Sequence, residues 1–178
     1  MTPAKTTTAS TAESFAEWVR EHGAAVRGYL FAVIREAATA DDLTQEVFLR
    51  AWQGRGTYRE QGRVRAYLFR IADRLACDHG RRRHREVTVS DEQWKELQPA
   101  SGQDEPSGQL AQAEAVARLD DALAELTPVQ QRVLFLRYYG QLSFNEIAET
   151  LGCPLNTALS HCRRALESLR KHLAEFMS

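Results

Sequence analysis

A chain of 178 residues, 43% hydrophobic and 26% charged, is long enough for one ordinary core or two small ones and has the composition of a globular protein. Its longest apolar runs, such as Val133 to Leu136, fall far short of a bilayer span, and the Thr/Ala-rich start has no apolar stretch behind a basic one, so a cytoplasmic protein is expected. The net charge of −1 conceals a bipolar chain: Arg63, Arg65, Arg70, Arg74, Arg81, Arg82, Arg83 and Arg85 crowd one segment, and Asp41, Asp42 and Glu46 another.

Residues 1–12 have almost no large apolar side chain to offset their ordering entropy and are expected to form a disordered tail. From about Glu13, Phe15, Val19, Val26, Leu30, Val33 and Ile34 recur at helical spacing, with Gly23 leaving open one helix or two short ones. Asp41 to Trp52 reads as a helix: Leu43, Val47 and Ala51 form a row, Phe48 and Trp52 lie beside it, and the acids fall in the first turn, where the helix dipole favours them. Gly54 and Gly56 end it. After a polar loop from Thr57 to Gly62, the row Val64, Leu68, Ile71 and Leu75 predicts a third helix to about Arg83, with arginines over its outer face.

From Val87 to Gly108 the pattern dissolves into Ser, Gln, Gly, Pro and acids, the signature of a linker. Trp94 and Leu97 permit one short helical turn there, and Asp91, Glu92, Glu96, Asp104 and Glu105 face the single basic Lys95. Beyond it, Val116, Leu119, Leu123 and Leu126 mark an amphipathic helix that stops at Thr127-Pro128, a pair suited to the cap and first position of the next. That next helix carries Val129, Val133, Leu134 and Leu136 to Gly140. Ser143 and Glu146 form a capping-box pattern opening a short helix, Gly152 closes it, and Pro154 suits the first turn of a last helix to about Ala174. No segment alternates with period two. The expected fold is therefore all-α: two small helical domains, 13–86 and 113–178, joined by a flexible linker, 87–112.

Ser143 to Arg164 has the layout of a helix-turn-helix. On its second helix Leu155, Ala158, Cys162, Ala165 and Leu169 share one face, and the opposite side presents Asn156, Thr157, Ser160, His161, Arg163 and Arg164, groups of the kind that contact base edges and phosphates. A helical hairpin with a solvated polar face has the same pattern. Cys77, Cys153 and Cys162 make no C-x-x-C pair, an odd count fits a reducing compartment, and neither Cys77 with His79 nor His161 with Cys162 comes with the other ligands a zinc site needs, so neither metal nor cofactor is expected.

The segment LAELTPVQQRVLFLRYYGQLSFNEIAETLGCPLNTALSHCRRALESLRKHL resembles the domain of sigma factors that binds the minus-thirty-five promoter element. DDLTQEVFLRAW followed by RAYLFRIADRLACDHGRRRHR is similar to their core-binding and minus-ten-binding domain. The two blocks stand in the family's order and cover most of residues 13 to 174, and the short linker between them resembles the extracytoplasmic-function group of the sigma-70 family.

The resemblance implies that Asp41, Asp42, Gln45 and Glu46 dock on the clamp helices of the largest subunit of bacterial core RNA polymerase, a basic coiled coil. It implies that Tyr58, Arg59 and Arg63 of the loop, with Arg70, Arg74, Arg81, Arg82, Arg83 and Arg85 of the helix after it, engage the melted minus-ten strand; melting requires a place for an unstacked base and cations along the exposed backbone. It assigns Asn156, Thr157, Leu159, Ser160, His161, Arg163 and Arg164 to the minus-thirty-five element as duplex. Family members commonly carry Lys or Arg at the position of Leu159 and often Arg at that of His161; Leu159 suits a thymine methyl group or a partner surface instead. The family's linkers thread through the polymerase, and an anti-sigma protein that clamps both domains is a further candidate partner.

An enzyme finds no support: there is no Gly-rich phosphate loop and no nucleophile elbow, and docking accounts for the grouped carboxylates. Two other readings remain. A stand-alone helix-turn-helix regulator would not need the DDLTQE helix and would normally bind palindromic sites as a dimer, and a sigma mimic that binds a regulator would have no use for strand-melting arginines.

Overall fold

The computed structural model describes the backbone of residues 6–55, 63–89 and 108–175, and the side chains of 15–55, 63–83 and 114–174. Seven helices and no strand occur among the described residues: α1 (Thr6–Ile34), α2 (Ala37–Gly54), α3 (Val64–Val89), α4 (Gly108–Ala124), α5 (Pro128–Tyr138), α6 (Phe144–Leu151) and α7 (Leu155–Glu175). The turn at Asp91 to Leu97 and the linker acids lie outside the described residues.

α1 is one helix through Gly23, and it begins at Thr6, inside the stretch whose composition predicts a tail. Once a long helix has nucleated, each residue added at its end gains a hydrogen bond without a new nucleation cost, so a Thr/Ala segment can extend it. α2 also starts earlier than its apolar row suggests, because Ala37, Ala38 and Ala40 are strong helix formers with no large side chain to betray them. Asp41 and Asp42 consequently lie beyond the first turn, and the helix-dipole explanation of their placement fails. At the other end of the chain, Thr127 and Ser143 each close a full capping box, with Gln130 and Glu146, and Pro128 takes the first turn of α5. Gly152 ends α6 in the left-handed conformation at φ 65°, where a side chain would be strained. Pro154 stands just before α7 rather than in its first turn, its carbonyl accepting from the Ala158 N–H.

α1, α2 and α3 pack on one another, and α5, α6 and α7 form a second group with α4 laid on α7. Phe15 of α1 sets its ring edge-on to Trp52 of α2 at 5.0 Å, with Phe48 beside it. The two groups meet directly. α1 contacts α5 and α3 contacts α6, and a single apolar cluster runs from Val26, Tyr29 and Leu30 through Val47, Leu68 and Phe69 to Val133, Leu136, Ile147 and Cys162.

α3 makes this possible because it is buried on two sides. Leu68 and Leu75, from the predicted row, are buried on one side of it. On roughly the opposite side of the helix, Ala66, Phe69, Asp73 and Ala76 are buried as well, and Asp73 meets the second group. Where α1, α3 and α5 come together, Val33, Ala76, Cys77, Pro128 and Arg132 line an open cleft.

Candidate nucleic-acid interface

On α2 the proposed docking residues divide. Asp42 and Gln45 are exposed and Glu46 is half-buried, accepting from Arg50 Nε at 2.6 Å; with one turn between Asp42 and Glu46 they share a face. Asp41 is turned instead to α1, where Arg27 bonds both its oxygens and holds its carboxyl below the usual carboxylate range. Its charge is therefore already matched within the chain.

α3 carries Arg63 just before its first residue and then Arg70, Arg74 and Arg81, spaced so that all four follow one exposed edge. Arg82 and Arg83 are exposed off that row. Arg81 bonds Asp78 one turn back. Arg70 Nη2 lies 3.5 Å and Arg63 Nη1 3.9 Å from the carboxylate of Glu149 on α6. Tyr58, Arg59 and the Arg85 side chain lie outside the described residues.

The helix-turn-helix is formed by α6 and α7. Ile147, Ala148, Ala158, Cys162 and Ala165 are buried in it, which fixes the second helix by an apolar face of small residues. Asn156, Ser160, Arg163 and Arg164 are exposed, Thr157 and His161 half-buried. Arg163 is bonded along its own helix to Glu167 at 3.4 Å. Leu155, expected on the inner face, is 40% exposed, and Leu159 beside it is 39% exposed, so the outward surface of α7 mixes apolar and polar groups. The helix starts as the chain leaves the turn at Pro154, and Leu155 lines an open surface groove with Ser143, Asn145 and Gly152.

Sequence reasoning missed the most buried charges. Asp73, 3% exposed, accepts from Arg132 Nε at 2.7 Å and Nη2 at 2.6 Å, and from the Tyr29 hydroxyl at 2.6 Å. Burial alone would disfavour the Arg132 cation, and the bonds to Asp73 overcome it, leaving the guanidinium held firmly charged. Burial and the Asp73 charge together keep the Tyr29 phenol protonated, as a donor must be. The available signal was an aspartate at the centre of a second apolar face, Ala66, Phe69 and Ala76, on a helix where Asp78, the other carboxylate among the described side chains, is more exposed. No group of three or more potential metal ligands occurs among the described residues, and no helix there is long and apolar enough to cross a membrane.

This chain matches the family models for Sigma-70 region 2 over residues 18–86 and Sigma-70 region 4 over residues 117–169. It is 30% identical over 162 residues to the ECF RNA polymerase sigma factor RpoE of Cereibacter sphaeroides, covering 90% of this chain and 87% of that protein. It is 28% identical over 166 residues to the ECF RNA polymerase sigma factor SigK of Mycobacterium tuberculosis (strain H37Rv), with 90% and 86% covered. In fold it is similar to the sigma factor RpoE solved in complex with the anti-sigma factor NepR from Bartonella quintana, at a TM-score of 0.76 and 23% identity, covering 91% of this chain and 98% of that one. With both regions in order and its relatives matched over nearly their whole length, the chain belongs to the extracytoplasmic-function (ECF) sigma factors of the sigma-70 family, alternative factors that direct RNA polymerase in transcription initiation.

Proposed function

We propose that this sigma factor docks on core polymerase through the α2 face of Asp42, Gln45 and Glu46, holds the opened minus-ten strand along Arg63, Arg70, Arg74 and Arg81, and reads the minus-thirty-five duplex with α7. Arg82 and Arg83 extend the cationic surface, and Asp41 acts chiefly by fixing α2 against α1. Asn156, Thr157, Ser160 and His161 suit base edges, Arg163 and Arg164 phosphates, and Leu159 an apolar contact such as a thymine methyl. The observation that carries this reading is the exposed arginine edge of α3 on the same chain as an exposed recognition helix. One surface suits a single strand and the other a duplex, a combination a stand-alone duplex binder would not need.

The factor itself carries out no chemistry; bond formation belongs to the polymerase, and the work is done in the cytoplasm where that enzyme is. Tyr58, Arg59 and Arg85 belong to the same minus-ten surface in this reading. An anti-sigma protein is a candidate regulator, as NepR is for the Bartonella quintana factor.

The test is equilibrium binding of the purified chain to bacterial core RNA polymerase, against Asp42→Arg, which sets a like charge before the basic docking surface. Binding weakened tenfold or more, about 1.4 kcal/mol, is the expected result. A native chain that does not bind core polymerase overturns the reading.

A further inference from the structure

At the seam where the two helical groups meet, the open cleft between α1, α3 and α5 has a volume of about 800 Å³. Val33, Ala76, Cys77 and Pro128 make its walls apolar, and Arg132 beside them is already bound to Asp73. Gly80 lies in the same wall, inside α3, where glycine is a poorer helix former than alanine. A Cβ there would meet nothing within 4 Å, so no close neighbour among the described residues demands the glycine. Its effect is to widen the cleft.

Two properties of the cleft select an occupant from within the chain. The first is charge. Arg81 on its rim bonds Asp78, and with Arg74 and Arg82 it holds that carboxyl below its usual range, so three cations stand against one carboxylate. The second is reach. Residues 90–107 join the end of α3 at Val89 to the start of α4 at Gly108, and Trp94 and Leu97 are their only large apolar side chains. Asp91, Glu92 and Glu96 flank that pair, against the single Lys95. From Gly80 to Val89 is about 14 Å at about 1.5 Å per helical residue, and the five residues on to Trp94 span up to about 17 Å, enough to return to the cleft.

We propose that the cleft is the docking site for residues 91–97 of the same chain, with Trp94 and Leu97 against its apolar walls and the flanking acids on Arg74, Arg81 and Arg82. Trp94 and Leu97 are three positions apart, a spacing that puts both on one side of a single helical turn. Docked there, the segment competes for cations that the proposed function gives to the minus-ten strand. That competition rests on the sigma reading above; the docking does not.

The experiment measures disulfide formation in the full chain, with the bonded pair identified by peptide mapping. Gln93→Cys keeps both anchors and sets a thiol beside Trp94. Oxidised in dilute solution, it should join Cys77 at least tenfold faster than Gln103→Cys, in the same linker, does. Chain separation alone would favour the nearer position by only about twofold. Gly80→Leu fills the cleft and suits a helix better than glycine; added to each variant, it should bring the ratio down to about two with helix content unchanged. Trp94→Ala with Leu97→Ala should raise affinity for a single-stranded minus-ten oligonucleotide at least threefold. A ratio near two without Gly80→Leu overturns the docking and leaves the cleft to a group outside the chain. A cross-link between chains gives the cleft to a second copy and overturns it as well. Should Gly80→Leu lose its helices, the ratio without it decides. Should the ratio hold while oligonucleotide affinity stays flat or absent, the docking stands and the competition with DNA falls.

Discussion

Single side chains at the helix ends carry a measurable share of the stability of the DNA-reading group. Ser143 caps α6 through its hydroxyl while its own N–H and hydroxyl bond Glu146. Burial pushes the Glu146 carboxyl up, but those bonds outweigh it and leave it below its usual value. A carboxyl depressed in the fold contributes stability above the unfolded pKa of about 4.3, and loses it as pH falls through the lower folded value. Ser143→Ala should therefore cost about 1 kcal/mol at neutral pH and move the acid unfolding midpoint to higher pH, both read by circular dichroism. At the seam, Tyr29→Phe leaves the buried Asp73 one donor short, which should cost about 1–3 kcal/mol in chemical denaturation.

At the level of the element, α7 separates positioning from reading. Arg164→Ala should weaken duplex binding about equally on all sequences and reduce the salt slope by about 1, whereas Leu159→Ala should change the preference at one base position and leave the slope alone; titrations at several salt concentrations distinguish them. Leu155 apart, the exposed residues of this helix were legible in the sequence because the capping box of α6, the Gly152 stop and an apolar face of small residues are all local signals. α3 was legible only by half. The row Val64, Leu68, Ile71 and Leu75 is strong, and it conceals a second buried face made mostly of alanine and one phenylalanine around a carboxylate. Alanine is equally at home exposed or buried in a helix, so such a face announces itself only when the partner surface is seen. The early starts of α1 and α2 were missed for the same reason, since Thr and Ala carry no periodic mark.

On the scale of the whole molecule, two helical groups readable from sequence become one packed body through contacts separated by dozens of residues. Asp73 and Arg132 are 59 positions apart and Arg35 and Asp120 are 85, separations that no local pattern encodes. The apolar cluster crossing the seam gives this packing hydrophobic support, while the left-handed Arg35 and Gln141 belong to the local ends of α1 and α5, where backbone bonds to Phe31 and, next to Gln141, from Leu142 to Leu136 close the helices. Gly28→Leu should force the Tyr139 ring away and loosen the seam without touching the charge pair, lowering the midpoint of chemical denaturation. Measured beside Arg132→Ala and the double variant, it separates the steric from the electrostatic hold on the seam: if both act on one docking equilibrium, the double variant loses less than the sum.

The cleft between α1, α3 and α5 has one more consequence. Burial, with the Asp73 charge next, pushes the Cys77 thiol up, so a thiolate is scarce although the half-buried side chain lines the open cleft beside Arg132. When α5 withdraws, the thiol gains water and reagent access together. The native sequence thus contains its own reaction clock: the rate at which Cys77 is alkylated by a neutral reagent reports how often α5 moves off, and it should quicken with Gly28→Leu, which forces the Tyr139 ring from α1, with no dye or added cysteine at the point of observation.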